Sequence, residues 1–424
     1  MNRLNELGAV EAARRLARRE ITAEQLVRAC LDRVSQRETV VHAWTQLDPD
    51  RVISQARALD AGPVRGPLHG LPIGVKDLID TADFPTGYGS PIYEGHRPRA
   101  DAACVALARE AGALVLGKTV TTEFAWFHPG KAANPRNPAH TPGGSSSGSA
   151  AAVADAMVPL AFGTQTAGST VRPASYCGIV GYKPTFGTIP RAGAKPLSDS
   201  LDTIGVLARS APDAALLAGT LSGRELWRAP LDGAPRIAAC RTFEWAHAQP
   251  ESAAALEEAG QRAARAGAKV AQVALPQAFS GLLQAQLDVM DFEAYRALAG
   301  ERTGHPDKLS AKLRQMLDGA SKVDAKRHAA ALALAARCRA MEAEAFGEAD
   351  VLMTPSAPGI APAGLGATGD PVFCRIWTLL GNPSINVPGL SGPGGLPVGV
   401  QLVGRTGDDA RLLAAADWLQ RVLG

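Results

Sequence analysis

The chain has 424 residues, 46% hydrophobic and 20% charged, and its 44 lysines and arginines against 41 acids leave a net charge of +3. That is enough chain for a substantial buried core, and 44 glycines with 30 prolines fall short of a low-complexity composition. With acids and bases interspersed, no apolar signal segment at residues 1–7 and no apolar run of about 18 residues, the composition argues against nucleic-acid binding and membrane insertion and predicts a cytoplasmic protein.

In chain order, Thr22-Ala-Glu-Gln25 has the form of a capping box and predicts a helix over 24–34; the first 60 or so residues read as helices packed on the main body. From Leu71 onward short apolar runs, at 71–75, 113–116, 158–162, 203–207, 236–239 and 351–353, alternate with helical patterns. Such alternation predicts an α/β fold with a large mixed, mostly parallel β-sheet core covered by helices. Residues 225–345 are alanine-rich and charged, and 253–266 and 325–346 read as amphipathic helices.

Three segments carry the chemistry: Gly70-Leu-Pro-Ile-Gly-Val-Lys76-Asp77, Pro142-Gly-Gly-Ser145-Ser-Ser-Gly148-Ser149-Ala, and Gly163-Thr-Gln-Thr-Ala-Gly-Ser169-Thr-Val-Arg172-Pro173. Glycine- and serine-rich backbone offers exposed N–H groups for an oxyanion, and a lysine desolvated in an apolar strand can serve as a base near neutral pH. Other readings of the middle segment fare worse. Gly144 to Gly148 fits the G-x-S-x-G nucleophile elbow around Ser146, but that fold needs a histidine late in the chain and the last one here is His328. A phosphate loop would require Lys-Ser/Thr where Ser149-Ala150 stands. A flexible tether is disfavoured by the helix-forming stretch 150–158 that follows.

Together these segments, with Pro173-Ala-Ser-Tyr-Cys-Gly-Ile-Val-Gly-Tyr-Lys-Pro184, Trp377-Thr-Leu-Leu-Gly-Asn-Pro-Ser-Ile-Asn-Val-Pro388 and Gly395-Leu-Pro-Val-Gly-Val-Gln-Leu-Val-Gly404, resemble the amidase signature family, serine hydrolases that cleave C–N bonds with a Ser-cisSer-Lys triad. The resemblance covers most of the chain outside 225–345. It implies the amidase signature fold in a single domain: N-terminal helices over 1–62, a catalytic core over 63–224, a variable helical cap over 225–345 and a C-terminal part of the core over 346–424.

Carried over by position, the resemblance implies Lys76 as general base, Ser145 as bridging serine following a cis peptide, and Ser169 as nucleophile, with successive backbone N–H groups of Thr166, Ala167, Gly168 and Ser169 forming the oxyanion hole. Ser146, Ser147 and Ser149 are expected to be helix caps and loop hydrogen-bonders. Ala167 stands where glycine is commoner, and Gln165 where many members have aspartate. Arg172 reads either as a fork for a substrate carboxylate or carbonyl, or as a structural ion pair under the loop. Phe124, Trp126 and Phe127 read as walls of an acyl pocket or as core, and Gly144 as a substrate-side backbone position.

Six scattered cysteines are expected to be free buried thiols, and no histidine spacing suggests a ligand set, so neither metal nor cofactor is called for. The expected activity is hydrolysis of a small-molecule amide to a carboxylate and ammonia or amine, by a protein with no nucleic-acid or membrane partner and with a homodimer left open. Aryl amides, carbamates or esters are alternative substrates of the same mechanism. Two other classes are a catalytic subunit of a glutamine-dependent tRNA amidotransferase, for which the chain looks short, and a non-catalytic binding protein on the same scaffold, which would have no need of all three triad residues.

Overall fold

The computed structural model describes residues 3–226, 231 and 233–424. The expected start of the cap at 225 runs into residues 227–230 and 232, which lie outside the described residues. Eleven strands form one sheet: β1 (Trp44–Leu47), β2 (Pro72–Lys76), β3 (Leu114–Thr119), β4 (Leu160–Gln165), β5 (Val180–Lys183), β6 (Thr203–Ala208), β7 (Arg236–Cys240), β8 (Lys269–Val273), β9 (Val351–Pro355), β10 (Ser384–Ser391) and β11 (Pro397–Val403). Their spatial order is β1-β3-β2-β4-β6-β5-β10-β11-β9-β7-β8.

The sheet is mixed, as expected, but its balance corrects the expectation of mostly parallel pairing. Parallel pairs join β2 to β3 and β4, and β7 to β8 and β9, whereas the other six pairings, through the middle of the sheet and at β1, are antiparallel. One of these six follows from connection length. β10 and β11 are joined by a few residues around Pro393–Gly395, too short for a crossover, so they can only form a hairpin. An apolar run predicts a strand without revealing its direction.

Strands β2 to β6 and β9 are buried at every position, as strands covered on both faces must be, while β8 at the edge is largely exposed. The N-terminal segment is helical as read, with the capping box at Thr22 and Gln25 opening a helix that runs on to Val41, but it also contributes edge strand β1. Within the expected cap, residues 236–273 form β7, the helix Pro250–Arg265 and β8 and so belong to the sheet; only the helices between Leu282 and Phe346 lie outside it. These last helices share an apolar cluster with Trp126, Ala167 and Trp377. All six cysteines are free and buried. No helix among the described residues is long and apolar enough to cross a membrane.

The helix Ser147–Ala154 seats so closely on its neighbours that a Cβ at Gly148 would lie 2.2 Å from the Ala43 carbonyl oxygen and 2.3 Å from the Val120 nitrogen. Both are backbone atoms that cannot swing aside. Gly148→Ala is therefore expected to destabilise the protein by about 3 kcal/mol or to prevent its folding, and a denaturation midpoint equal to wild type would contradict this packing.

Candidate active site

The candidate residues converge where β2 and β4 end. Lys76 is the last residue of β2; its side chain is fully buried, and its Nζ donates to Ser145 Oγ at 2.7 Å and Thr164 Oγ1 at 2.6 Å. Ser145 follows a cis peptide bond from Gly144, and Gly143 before it has φ 85°, a conformation that favours glycine. The neighbouring serines tie this loop to strands rather than capping the helix. Ser146 Oγ accepts from the Thr164 N–H at 3.2 Å, Ser147 Oγ donates to the Val120 carbonyl at 3.3 Å, and Ser149 Oγ donates to the Phe162 carbonyl at 2.8 Å.

Burial singles out no one lysine, because Lys76, Lys118 and Lys183 are all fully enclosed. Lys118 Nζ lies 3.3 Å from Asp77 Oδ1 and donates to the Ile79 carbonyl and Thr86 Oγ1, so it is a paired charge. Lys183, lowered by burial to about 7, donates among the described residues only to the Pro184 carbonyl. Lys76 alone touches a serine of the signature. Burial pushes its ammonium well below the usual amine range, with Arg172 acting in the same direction and Asp202 opposing.

Thr164 was not singled out in the sequence, yet its hydroxyl is the second acceptor for Lys76. Removing it in Thr164→Val withdraws a bond that favours the charged amine, so Lys76 should ionise less readily. If Lys76 is the base, the rising limb of the pH–rate profile is expected to move down by roughly one unit, since a hydrogen bond to a charged group contributes about 1.5 kcal/mol or more. An unmoved limb would show that the hydroxyl does not tune the base.

The expected oxyanion turn leaves β4 and enters the helix Val171–Cys177. Its carbonyls are pinned: Gln286 Nε2 donates to Thr166 O at 3.1 Å, Thr378 Oγ1 to Ala167 O at 2.7 Å and the Arg172 N–H to Gly168 O at 2.9 Å. Among the described residues the N–H groups of Ala167, Gly168 and Ser169 have no acceptor. Fixed carbonyls with free amides are what a developing oxyanion requires. Gln165 serves this turn structurally, its Oε1 accepting from the Thr170 and Val171 N–H groups and its Nε2 donating to Thr378 Oγ1. Ser169, 7% exposed, has no side-chain hydrogen bond in the described residues, and its carbonyl accepts from the Ser146 N–H at 3.3 Å.

Ser169 lines a narrow cavity together with Trp126, Phe127, Thr166, Arg172, Met290 and Pro371 among others. Of the expected substrate-side residues, Trp126 and Arg172 reach it. Phe124 does not; its ring packs edge-on against Tyr93 with Lys195 beside it. Gly144 contributes through its carbonyl, which accepts from Arg172 Nη2 at 2.6 Å. Arg172 is a clamp with no ion pair among the described residues: Nη1 donates to Gly369 O at 2.6 Å and Nη2 also reaches Thr368 Oγ1 at 3.3 Å. It thus braces the loop at Ser145 against residues 368–369. A wider hollow of about 270 Å³, lined by Leu226, Leu413 and Trp418, holds none of the candidate residues.

The Amidase family profile matches residues 25–413. A glutamyl-tRNA(Gln) amidotransferase chain from Nitratidesulfovibrio vulgaris (strain DP4) is 35% identical over 483 aligned positions, covering 100% of this chain and 98% of the relative. A solved amidase superposes with a TM-score of 0.90 at 32% identity over 99% of this chain and 100% of its own, and a substrate complex of 6-aminohexanoate cyclic dimer hydrolase with 0.88 at 25% identity over 100% and 98%. With the family profile running through β2, β4 and the turn that bears Ser169, the chain belongs to the amidase signature family, whose members hydrolyse amide C–N bonds.

Proposed function

We propose that the protein is an amidase that hydrolyses a small carboxamide to a carboxylate and ammonia or amine through an acyl-enzyme on Ser169, the whole chain acting as one amidase domain of the simple linear-amide class. Ser169 Oγ attacks the carbonyl carbon while its proton passes through Ser145 Oγ to the neutral Lys76 Nζ. The carbonyl oxygen becomes an oxyanion facing the free amides of Ala167 to Ser169. Collapse expels the amine, which takes the proton back along the same path, and water repeats the sequence to release the acid. The observation that carries this reading is the 2.7 Å hydrogen bond from Lys76 to Ser145, at a depth where burial disfavours the charged amine.

The test is ammonia or amine release from a panel of small amides, anilides, carbamates, esters and glutamine, with Ser169→Ala alongside. Equal turnover in wild type and variant would overturn the assignment. A second reading, a component of a multi-chain amidotransferase, is favoured by the 35% identical relative. Glutaminase activity that appears only when partner proteins are added would support it, whereas turnover by the chain alone supports a free-standing amidase.

A further inference from the structure

Arg375 lies in the helix Val372–Leu380, one turn after cavity-lining Pro371, and is 6% exposed. Its guanidinium sits 5.8 Å from the centroid of the Phe127 ring, the same cavity-wall ring that Arg172 approaches at 5.8 Å. Nη1 donates to Gln286 Oε1, and Gln286 in turn holds the Thr166 carbonyl at the oxyanion turn; Met290, one turn along the Gln286 helix, lines the cavity. The two arginines differ in what their donors do. Arg172 spends both terminal nitrogens on backbone, whereas Arg375 has that single acceptor, and among the described residues no carboxylate comes within ion-pair distance of it. Asp370 and Asp291 act on it only from farther off. The remaining nitrogens of the Arg375 fork keep some contact with solvent, which leaves them open to an incoming acceptor, and a carboxylate is the acceptor a guanidinium fork binds most strongly.

We propose that Arg375 is a specificity residue of this site and receives a carboxylate carried by the substrate, so that the preferred substrates are amides of short acids bearing a second, free carboxylate. This rests on the amidase reading above. The match is geometric: a planar fork beside the cavity, held by Gln286 and Phe127, suits the two oxygens of a carboxylate.

The test compares kcat/KM for succinamate and for butanamide, a neutral amide of the same chain length, in wild type, Arg375→Met and Arg375→Lys. Wild type is expected to favour succinamate, the ratio to fall about 10- to 100-fold in Arg375→Met through KM more than kcat, and Arg375→Lys to lie between. A wild-type preference for butanamide, or a proportional loss on both substrates in Arg375→Met, would overturn the proposal and leave Arg375 as a brace for Gln286. Binding is read separately, by thermal shift with succinamate on Ser169→Ala with and without Arg375→Met. Stabilisation only where Arg375 is present supports the site, and equal shifts or none refute it. Turnover persisting in Ser169→Ala would overturn the acyl-enzyme reading while this binding comparison still decides Arg375.

Discussion

Ser169→Ala is expected to lower amide turnover by about 10⁴-fold or more and to abolish covalent labelling by an activated sulfonyl fluoride, with little change in stability. The size follows from the proposed role: if Ser169 is the nucleophile, no acyl-enzyme forms without Oγ, and only the proposed oxyanion turn and substrate positioning remain to help a water attack directly. Stability should hold because Ser169 Oγ has no hydrogen-bond partner among the described residues and its removal orphans nothing. Ser145→Ala makes a useful contrast. It takes away the acceptor at 2.7 Å from Lys76 Nζ and so breaks the proton path while leaving the nucleophile in place. Residual slow labelling is therefore expected in Ser145→Ala and none in Ser169→Ala. If intact-mass analysis finds the adduct on Ser169→Ala, the nucleophile lies elsewhere.

How much of this site could be read from sequence depended on distance along the chain. Lys76, Ser145 and Ser169 stand in short motifs whose glycines and serines declare themselves locally, and their segments do meet at the ends of β2 and β4. Thr164 lay inside one of those motifs and was passed over, because nothing in a strand sequence says which hydroxyl will face a lysine 88 residues earlier. Gln286 and Arg375 were invisible for a stronger reason. Their meeting depends on how the helices Leu282–Ala297 and Val372–Leu380 pack, and residues 225–345 show only an amphipathic pattern that fixes a buried face but not its partner. Phe124 and Trp126 illustrate the same limit at short range. Positive φ at Phe124 and Ala125 (48° and 60°) turns the chain between them, sending one ring into the Tyr93 cluster and the other to the cavity. In the sheet, apolar runs marked strands correctly, but strand direction was legible only where a short connection makes β10 and β11 a hairpin.

Lys76→Met is expected to separate catalysis from stability, losing about 10²- to 10⁴-fold in turnover while folding more stably than wild type at neutral pH. Burial, with Arg172 adding to it, holds the folded-state amine well below its unfolded value near 10.4. Below that unfolded value the unfolded chain binds a proton that the folded protein resists, so stability rises with pH until about 10.4 and the cost of burying Lys76 then disappears. Methionine keeps most of the volume without the amine, and the stability difference between the two proteins should shrink as pH approaches that limit. Activity should follow the same titration with the opposite consequence. If Lys76 is the base it works only when neutral, so wild-type kcat/KM is expected to rise with pH through the depressed folded-state value and then level off, whereas a solvated lysine would keep it climbing towards pH 10. In Lys76→Met the remaining rate should climb steadily as hydroxide replaces the base, with no plateau. A plateau at the wild-type position in Lys76→Met would assign the titration to another group, and with three lysines buried in this sheet only that comparison ties the profile to the one touching Ser145.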